Sequence, residues 1–437
     1  MRAITTTLFL SLAFLLPSCS VDIYSSTTSG TVPPRTGPRF QQAFPSAEVL
    51  VSTTDLEATR KVLDTVPLPE TKEHHDALVR TLESVKTIDS EHLVLLTEAV
   101  AIPPRLTDNS SMKSVSITTI NGRAFVYSRG DGKYSHVIDD LLLAGAKRLS
   151  DVGPASFGRL ISATQAKKTI VALSDILLKR SDTGSTADLE SILDEITFPE
   201  VCQELCVEVL LPRGRLKGKR ADVAIESMNF DSNRSNLIGA IYATLEEIDP
   251  ATLTRHVKLQ SFDSGRQKVV KFGAPKLTKL NGTEAVALMQ TASFESGRKA
   301  ILSKVIAKVH LTGTDEALAF IRTNSFDSGR RETLKTLCAH NFPPVNGDDL
   351  VAYAKIGSFD SGRLKFLELL KPHFKGGFTR SSAARLLDAF SFDRTRMKVV
   401  KLFRSELQKL SERDRRAVVK EFSMSSDREA AADLLIK

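Results

Sequence analysis

Several residue types are scarce in this chain of 437 residues, which has no Trp, five Tyr and four Cys. So few Cys in a chain of this length exclude a disulfide framework as the source of stability. Few aromatic rings are available to stack on bases, so no nucleic-acid partner is expected. After the N-terminal segment, no stretch approaches the roughly eighteen apolar residues that cross a bilayer, so no transmembrane segment is predicted.

Catalytic motifs are also lacking: the chain has no Walker loop, no nucleophile elbow and no CxxC pair. The residues Asp182-Thr183-Gly184-Ser185 match the aspartic-protease nucleus, and Asp263-Ser264-Gly265 looks like its partner. Those catalytic turns need buried hydrophobic strands beside them, whereas here one lies in a loop before a helical pattern and the other in a repeated turn. We therefore predict no enzyme, with no catalytic, cofactor-binding or metal-binding residues.

A six-residue motif, SFDSGR, recurs through the second half of the chain. Its second position is occupied by Phe230, Phe262, Phe294, Phe326, Phe359, Phe392 and, in the last copy, Met424. The steps between these positions are 32, 32, 32, 33, 33 and 32 residues. A regular period of this length is typical of stacked supersecondary units that cannot bury their apolar faces alone.

The copies of the motif keep some positions more strictly than others. The acid is Asp in five copies, Glu295 in one and Ser425 in the last, while Asn233, Thr395 and Asp427 replace the Gly. Because a β-branched Thr is costly at positive φ, the turn is not a glycine-demanding phosphate cradle. Arg closes all seven copies: Arg234, Arg266, Arg298, Arg330, Arg363, Arg396 and Arg428.

Apolar pairs flank each copy of the motif. One pair lies five and six residues before the Phe, as in Leu288 and Met289, and another follows the Arg, as in Ile301 and Leu302. Both flanks are predicted to be short amphipathic helices, which makes each unit a helix, a tight turn and a second helix. We expect either the Asp or the Ser of the motif to cap the second helix.

The motif is interpreted as scaffold. We expect its Phe to fill the seam between the helices of its unit and the next, so that Phe326→Ala costs about 3–5 kcal/mol. Arg330 is expected to pair with Asp327 or to reach a carbonyl of the adjacent unit, and Arg330→Ala to cost about 1 kcal/mol because a partly exposed ion pair is worth little.

The SFDSGR pattern resembles the domain-of-unknown-function 4476 family, whose members carry short helical repeats with an SFDS-type turn, often behind a signal peptide. The resemblance covers roughly residues 220 to 437. It implies a helical repeat fold with no assigned activity. We predict a mainly α fold, with a C-terminal α-solenoid of two-helix repeats of 32–33 residues at 219–437, preceded by a helical region with one β-hairpin.

The N-terminal residues predict export. MRAITTTLFLSLAFLLPSCS carries Arg2, an apolar run, and Ser18 and Ser20 at the −3 and −1 positions of a cleavage site, so 1–20 is a predicted signal peptide. In an alternative interpretation, a bacterial lipoprotein signal ends with a lipidated Cys19. Residues 21–45 are rich in Ser, Thr and Pro and are predicted to be a disordered lead-in. We expect a secreted, extracellular protein.

The region between the lead-in and the repeats is organised differently. Helical patterns occupy 46–106 and 131–218, and 107–130 is predicted to be a β-hairpin around Asn121-Gly122. A shortened copy of the motif, Ser156-Phe157-Gly158-Arg159, indicates that the helical units extend further back.

Three Cys remain if cleavage follows Ser20: Cys202, Cys206 and Cys338. Two interpretations stay open: Cys202 and Cys206 are small buried hydrophobes on one helix face, or a disulfide involves Cys338 in an oxidising compartment. Three sequons make Asn109, Asn233 and Asn281 candidate glycan acceptors in a eukaryotic cell, with Asn281 in a loop between repeats. We expect the mature chain to begin near Val21.

The chain is basic, with a formal net charge of +8. Its function is predicted to be that of a secreted, non-enzymatic helical-repeat protein that binds an unknown extracellular protein or forms part of an extracellular scaffold. The alternative is a module that binds polyanions, such as acidic glycans or a membrane surface, through a basic face. Lys and Arg gathered on one face would favour this alternative.

Overall fold

The computed structural model describes residues 79–100, 115–120, 123–128, 135–340 and 342–436. The fold is mainly helical, as the repeat pattern predicts. The signal peptide (1–20), the lead-in (21–45), the beginning of the first helical segment (46–78), Asn109 and the Asn121-Gly122 turn all lie outside the described residues.

The region before the repeats consists of short helices and one hairpin. Its helices are α1 (Ser90–Val100), α2 (Ser135–Ala146), α3 (Pro154–Ser162), α4 (Lys167–Leu177), α5 (Thr186–Asp194) and α6 (Pro199–Glu204), the last continued by a π-helical turn at Leu205–Leu210. Strands β1 (Val115–Ile120) and β2 (Arg123–Ser128) pair antiparallel, with Val115 opposite Ser128. The predicted hairpin is therefore confirmed, and it lies in the chain between α1 and α2.

The repeats follow as helix pairs, and each SFDSGR copy lies at the start of a second helix. The first helices are α7 (Lys219–Glu226), α9 (Pro250–Lys258), α11 (Gly282–Met289), α13 (Thr314–Arg322), α15 (Gly347–Ile356), α17 (Arg380–Asp388) and α20 (Glu412–Val419). The second helices are α8 (Asp231–Ala243), α10 (Asp263–Gly273), α12 (Glu295–Val305), α14 (Asp327–Cys338), α16 (Asp360–Leu370), α18 (Asp393–Leu402) and α21 (Ser425–Leu435). A short helix, α19 (Arg404–Leu407), follows α18.

Local sequence explains where the first helices begin. Asn281 and Asn346 each form a capping box with the acidic residue three positions later in the chain. Asp249, which directly precedes Pro250, accepts hydrogen bonds from two backbone N–H groups in the first turn of α9. Such caps satisfy the N–H groups that the first turn of a helix leaves unpaired. The loops before α11 and α13 also pair over two residues as parallel strands, β3 (Leu280–Asn281) and β4 (Val309–His310).

The helices form two layers. In the first layer, α1, α3, α5 and α7 pack successively on one another, as do α9, α11, α13, α15, α17 and α20. In the second layer, α2, α4, α6, α8, α10, α12, α14, α16, α18 and α21 pack in the same successive way. The two-layer arrangement therefore begins well before the first SFDSGR copy, and the α-solenoid interpretation is confirmed.

The core lies between the two layers. The apolar pairs predicted to face it, such as Leu288 with Met289 and Ile301 with Leu302, are almost completely buried. The shortened copy at Ser156–Arg159 is not a repeat turn, however, because Phe157 lies inside α3 of the first layer and is fully buried. The helical units do extend further back, as inferred, but this segment is not one of their turns, because a repeat turn precedes a second-layer helix.

Candidate functional site

The repeat turns place a Phe immediately before each second helix. In every copy the Phe, or Met424 in the last, is the N-cap residue, with extended backbone and no side-chain cap. The expectation that the motif's Asp or Ser caps the second helix is therefore wrong. The acid occupies the first helical position, where the positive end of the helix dipole stabilises its negative charge.

The acid of each motif accepts hydrogen bonds from the next unit. Asp327, for example, accepts the backbone N–H groups of Ser358 and Phe359 at distances of 3.0–3.4 Å. Every acid from the first copy to the sixth bonds the corresponding N–H groups one unit on, at 2.7–3.4 Å: Asp231, Asp263, Glu295, Asp327, Asp360 and Asp393. We call this series of contacts the carboxylate ladder.

The Arg of each of the first six motifs also forms hydrogen bonds with the following unit. Arg330 donates through Nε to the carbonyl of Asn324 at 3.0 Å, and through Nη1 to the carbonyl of Ile356 in the next unit at 2.7 Å. It also forms an ion pair with Asp327 at 3.3 Å. Both contacts predicted for Arg330 are confirmed. Arg234, Arg298, Arg363 and Arg396 reach the equivalent carbonyl of the following unit, whereas Arg266 bonds Ser293 Oγ there.

Ionisation of two ladder carboxylates, Asp263 and Asp393, is favoured in the fold. Burial opposes the charge on Asp263, but the N–H groups of Ser293 and Phe294 and the Arg266 guanidinium together hold its pKa below the usual value. Burial likewise raises the pKa of Asp393, but the two backbone N–H groups that donate to its carboxylate and the Arg396 guanidinium together lower it below the usual value. Charged hydrogen bonds to backbone N–H groups are among the stronger ones in proteins.

The Gly of the motif leaves space for the ladder carboxylate of the preceding unit. A Cβ on Gly329 would lie 2.6 Å from Oε2 of Glu295 in the preceding unit, and one on Gly265 would lie 3.0 Å from Oδ2 of Asp231. At Thr395 and Asp427 the chain accepts a larger side chain, and Asp360 and Asp393 still bond their N–H donors. The position therefore favours Gly because of close approach.

The Phe side chains are exposed to solvent. Their exposed fractions are 58% for Phe230, 70% for Phe262, Phe294 and Phe326, 73% for Phe359 and 68% for Phe392, with 64% for Met424. We call these seven residues the Phe row. The expectation that each Phe fills the seam between units is wrong, because the extended N-cap backbone directs the side chain away from the layers.

The outward-facing charge differs between the two layers. Apart from the acid and the closing Arg of each motif, helices α10, α12, α14, α16 and α18 carry ten basic residues: Lys268, Lys271, Lys299, Lys304, Arg331, Lys335, Lys365, Arg394, Lys398 and Lys401. These helices carry two acids there, Glu332 and Glu368. In the first layer over the same units, six Lys or Arg are balanced by six Asp or Glu: Arg255, Lys258, Arg322, Lys355, Arg380 and Arg385 against Glu284, Asp315, Glu316, Asp348, Asp349 and Asp388.

The ten basic side chains are exposed or half-buried. The Phe row lies at the N-terminal ends of these same helices. One edge of the molecule therefore combines projecting apolar side chains with a basic surface. The sequence signal that could have revealed this surface is the excess of Lys after the motif compared with the mixed charge before it.

A buried polar network missed by the sequence analysis joins the first two repeats. Tyr242 Oη lies 2.9 Å from Nδ1 of His256, whose Nε2 lies 3.2 Å from Asp222 Oδ1. Burial lowers the pKa of His256 despite the nearby Asp222 carboxylate. Since Tyr242 and His256 are almost fully buried, the network is a satisfied core contact between α7, α8 and α9.

The remaining predicted residues fall at separate places. Cys202, Cys206 and Cys338 are free thiols; Cys202 and Cys206 are buried on one helix face, and burial raises the pKa of Cys338 to about 12. Asn233 is buried in α8, which argues against its use as a glycan acceptor, whereas Asn281 is exposed before α11.

The two protease-like segments have structural roles. Ser185 closes the first by capping α5 in a capping box with Asp188, and Asp263 of the second belongs to the carboxylate ladder. Within the described ranges, no group of three or more His, Cys, Asp or Glu side chains is placed to hold a metal ion. No helix in this part of the chain has both the length and the apolar character that crossing a membrane requires.

Comparison with known proteins identifies the C-terminal units. Residues 341–435 match the family described as a domain of unknown function, DUF4476. This stretch contains the turns at Phe359, Phe392 and Met424, so the predicted resemblance is confirmed there. A comparison with curated proteins finds no match. The last helical units of this chain, residues 341–435, are therefore similar to the DUF4476 family.

Proposed function

We propose that this chain is a secreted, non-enzymatic repeat protein that binds another extracellular protein along the Phe row. The observation that carries the proposal is the exposure of the same apolar position in seven successive units. Single exposed apolar residues are common on protein surfaces, but a contiguous apolar feature marks an interaction site. Seven apolar side chains at the starts of successive second-layer helices are a repeated feature of one edge and not single scattered exposures.

The chemistry around the Phe row specifies the partner. Phe side chains can fill apolar pockets of a partner, and the basic second layer beside them attracts carboxylates. The partner we expect therefore presents apolar pockets or side chains among Asp and Glu residues. The polar residues of the motif do not contribute chemistry to this contact, because the ladder acids and Arg residues are engaged between units.

The test compares the full chain with a Phe294→Ser, Phe326→Ser, Phe359→Ser variant. Photo-crosslinking from position 326 in extracellular fluid identifies a partner, which is then purified for direct binding measurements. We expect the triple variant to bind that purified partner at least tenfold more weakly. Leu245→Ser is the matched control because Leu245 is an exposed apolar residue, 39% accessible, outside the row. Equal losses for both variants, or unchanged binding by the triple variant, would refute the proposal.

Export is tested separately. We expect protein recovered from the medium of expressing eukaryotic cells to begin near Val21 and to carry a glycan on Asn281. Mass spectrometry of the N-terminus and a glycosidase shift, absent in Asn281→Gln, measure both features. Intact Met1 on cell-retained protein would contradict secretion.

A second function is favoured by the asymmetric charge of the layers. The basic second layer would bind polyanions such as sulfated glycans. We expect Lys268→Gln, Lys271→Gln, Lys299→Gln to elute from heparin at lower salt than the parent chain. The control removes three first-layer charges, Arg322→Gln, Lys355→Gln, Arg385→Gln, and should elute later than the second-layer variant. Identical elution of the two variants would show that net charge alone, and not this face, governs the binding.

A further inference from the structure

A cleft with concentrated positive charge lies before the SFDSGR repeats. It has a volume of about 310 Å³, and its walls come from the loop before α5 and the loop that joins the π-helical turn to α7. The lining side chains include Arg215 and Lys217 from the second loop, Arg220 from the first turn of α7, and Ser181, Asp182 and Thr183 from the first loop. The cleft is therefore built around the Asp182–Ser185 segment that resembles a protease motif.

The second loop and the first two residues of α7 are unusually basic. Residues 212–220 contain five Lys or Arg and no Asp or Glu: Arg213, Arg215, Lys217, Lys219 and Arg220. Gly214 and Gly218 have φ values of +67° and +55°, a conformation that L side chains rarely adopt, so the two glycines allow the loop to turn sharply. The bends leave Arg215, Lys217 and Arg220 lining the same cleft, whereas Arg213 pairs with Asp175 elsewhere.

Hydrogen bonds fix two of the three cations. Arg215 Nη1 donates to Thr183 Oγ1 at 2.9 Å, and Thr183 is buried. Arg220 donates through Nε to the Arg215 carbonyl at 2.9 Å and through Nη1 to the Gly184 carbonyl at 2.7 Å. The guanidinium groups are thus oriented by neutral acceptors, which leave their positive charges without a paired carboxylate in the cleft wall.

Charge repulsion within the cleft is not fully compensated. Burial, followed by the positive charge of Arg215, lowers the pKa of Arg220, and the negative charge of Asp188 acts in the opposite direction. Asp188 is engaged in the capping box of α5. Asp182 is the one acid among the lining residues, against three cations. The side-chain ammonium of Lys217 has no hydrogen bond or ion pair with the part of the chain that the structure describes.

We propose that this cleft binds a phosphate or sulfate monoester attached to a small group such as a monosaccharide. Arg guanidinium groups match the oxygen geometry of these anions, and Lys217 supplies a mobile third charge. The volume lies at the lower end of the range of roughly 300–1,000 Å³ for small-molecule sites, so the anion and about one sugar ring fit. The proposal does not depend on the Phe row, which lies on other residues.

Calorimetric titration of the full chain tests the site with five probes. These are inorganic phosphate, inorganic sulfate, glucose 6-phosphate, a sulfated heparin disaccharide, and vesicles containing a phosphoinositide. We expect one saturable site per chain for at least one monoester, with vesicle binding marking a lipid headgroup as the source and disaccharide binding marking a glycan. Failure of all five probes to show saturable binding would overturn the proposal.

Two neighbouring lysines provide matched variants. Lys217 lines the cleft and Lys219 does not, so Lys217→Gln and Lys219→Gln make the same charge change two residues apart. We expect Lys217→Gln to weaken binding of the best probe about tenfold and Lys219→Gln to weaken it less than twofold, with unchanged melting temperatures for both. Equal weakening by the two variants would reduce the effect to general electrostatic attraction and overturn the assigned site.

Discussion

Phe326 and Arg330 lie four residues apart in one SFDSGR copy, and their side chains meet opposite environments. The Phe326 ring is largely in water, whereas the Arg330 side chain is about one-fifth exposed and bonds carbonyl groups of two units. Truncating an exposed ring removes little buried area, but removing a guanidinium leaves buried acceptors without donors. Stability at this turn therefore depends on Arg330.

We expect Arg330→Ala to lower the free energy of unfolding by about 2–4 kcal/mol and Phe326→Ala by less than about 1 kcal/mol. Urea denaturation of each variant measures the loss. Lys335→Ala is the control, because Lys335 is exposed on the same helix. A larger loss for Phe326→Ala than for Arg330→Ala would show that the ring is buried between units after all.

The lowered pKa of Asp263 predicts a pH effect on stability. The pKa of Asp263 is lower in the fold than the ordinary value of about 3.9, so its stabilisation is complete above that value and is lost as pH falls through the folded pKa. We expect Asp263→Asn to be less stable than the parent at pH 7, by about 1–3 kcal/mol. The gap between the two urea midpoints should narrow between pH 4 and pH 2. A gap that stays constant or widens on acidification would contradict the assigned charge.

At the scale of helices, the ladder is a connection between consecutive second-layer elements. Asp327 at the start of α14 holds the two N–H groups that precede α16, and Arg330 reaches the last turn of α15. These contacts join residues about one repeat apart. They fix where each helix pair begins relative to its neighbour, while the apolar pairs between the layers supply most of the burial.

We expect Asp327→Ala to speed hydrogen exchange at the amides of Ser358 and Phe359 at least tenfold, because both lose their acceptor. Exchange measured by mass spectrometry or NMR reports these amides directly. Asp349→Ala removes a carboxylate that caps α15 within its own unit, so it should speed exchange at Asn346 and leave Ser358 protected. Equal protection of Ser358 in the parent and in Asp327→Ala would show that the ladder bonds contribute nothing.

For the whole molecule, the last unit differs from those before it. Ser425 replaces the acid, and Arg428 bonds the carbonyls of Phe422 and Ser423 within its own unit. This unit accepts the ladder from Asp393 without extending it. End units of repeat arrays cover the apolar face of the last interior unit, and stability is then the sum over neighbouring interfaces.

We expect deletion of one whole internal unit to be tolerated better than removal of the last unit. Removing residues 377–409, one whole unit, brings the Asp360 turn next to the last unit, which carries the same N–H groups at Ser423 and Met424. Ending the chain at Leu410 instead exposes the face that α20 and α21 cover. Thermal unfolding and light scattering should show the internal deletion folded and soluble and the truncated chain less stable and aggregating. An internal-deletion variant that is less stable or less soluble than the truncated chain would contradict the assignment of the last unit as an end unit.

Much of this architecture could be predicted from the sequence because seven internal copies repeat the same pattern. The period of 32–33 residues, the two helices per unit, the buried pairs such as Ile301 and Leu302, the hairpin and the ion pair of Arg330 with Asp327 all follow from local periodicity or from short-range chemistry. The recurrence of SFDSGR determined that this segment is a turn between helices.

Only the tertiary structure decided which way the turn's side chains face. The carboxylate of Asp327 bonds residues 31 and 32 positions later, a separation at which hydrophobic periodicity carries no information on partners. An apolar residue such as Phe326 is expected to be buried, yet its side chain at the N-cap of α14 is exposed to solvent. The row of exposed rings could therefore not be inferred from residue type. The cleft at Arg215, Lys217 and Arg220 arises in the same way, since two loops about thirty residues apart meet only when α5 and α7 pack in one layer.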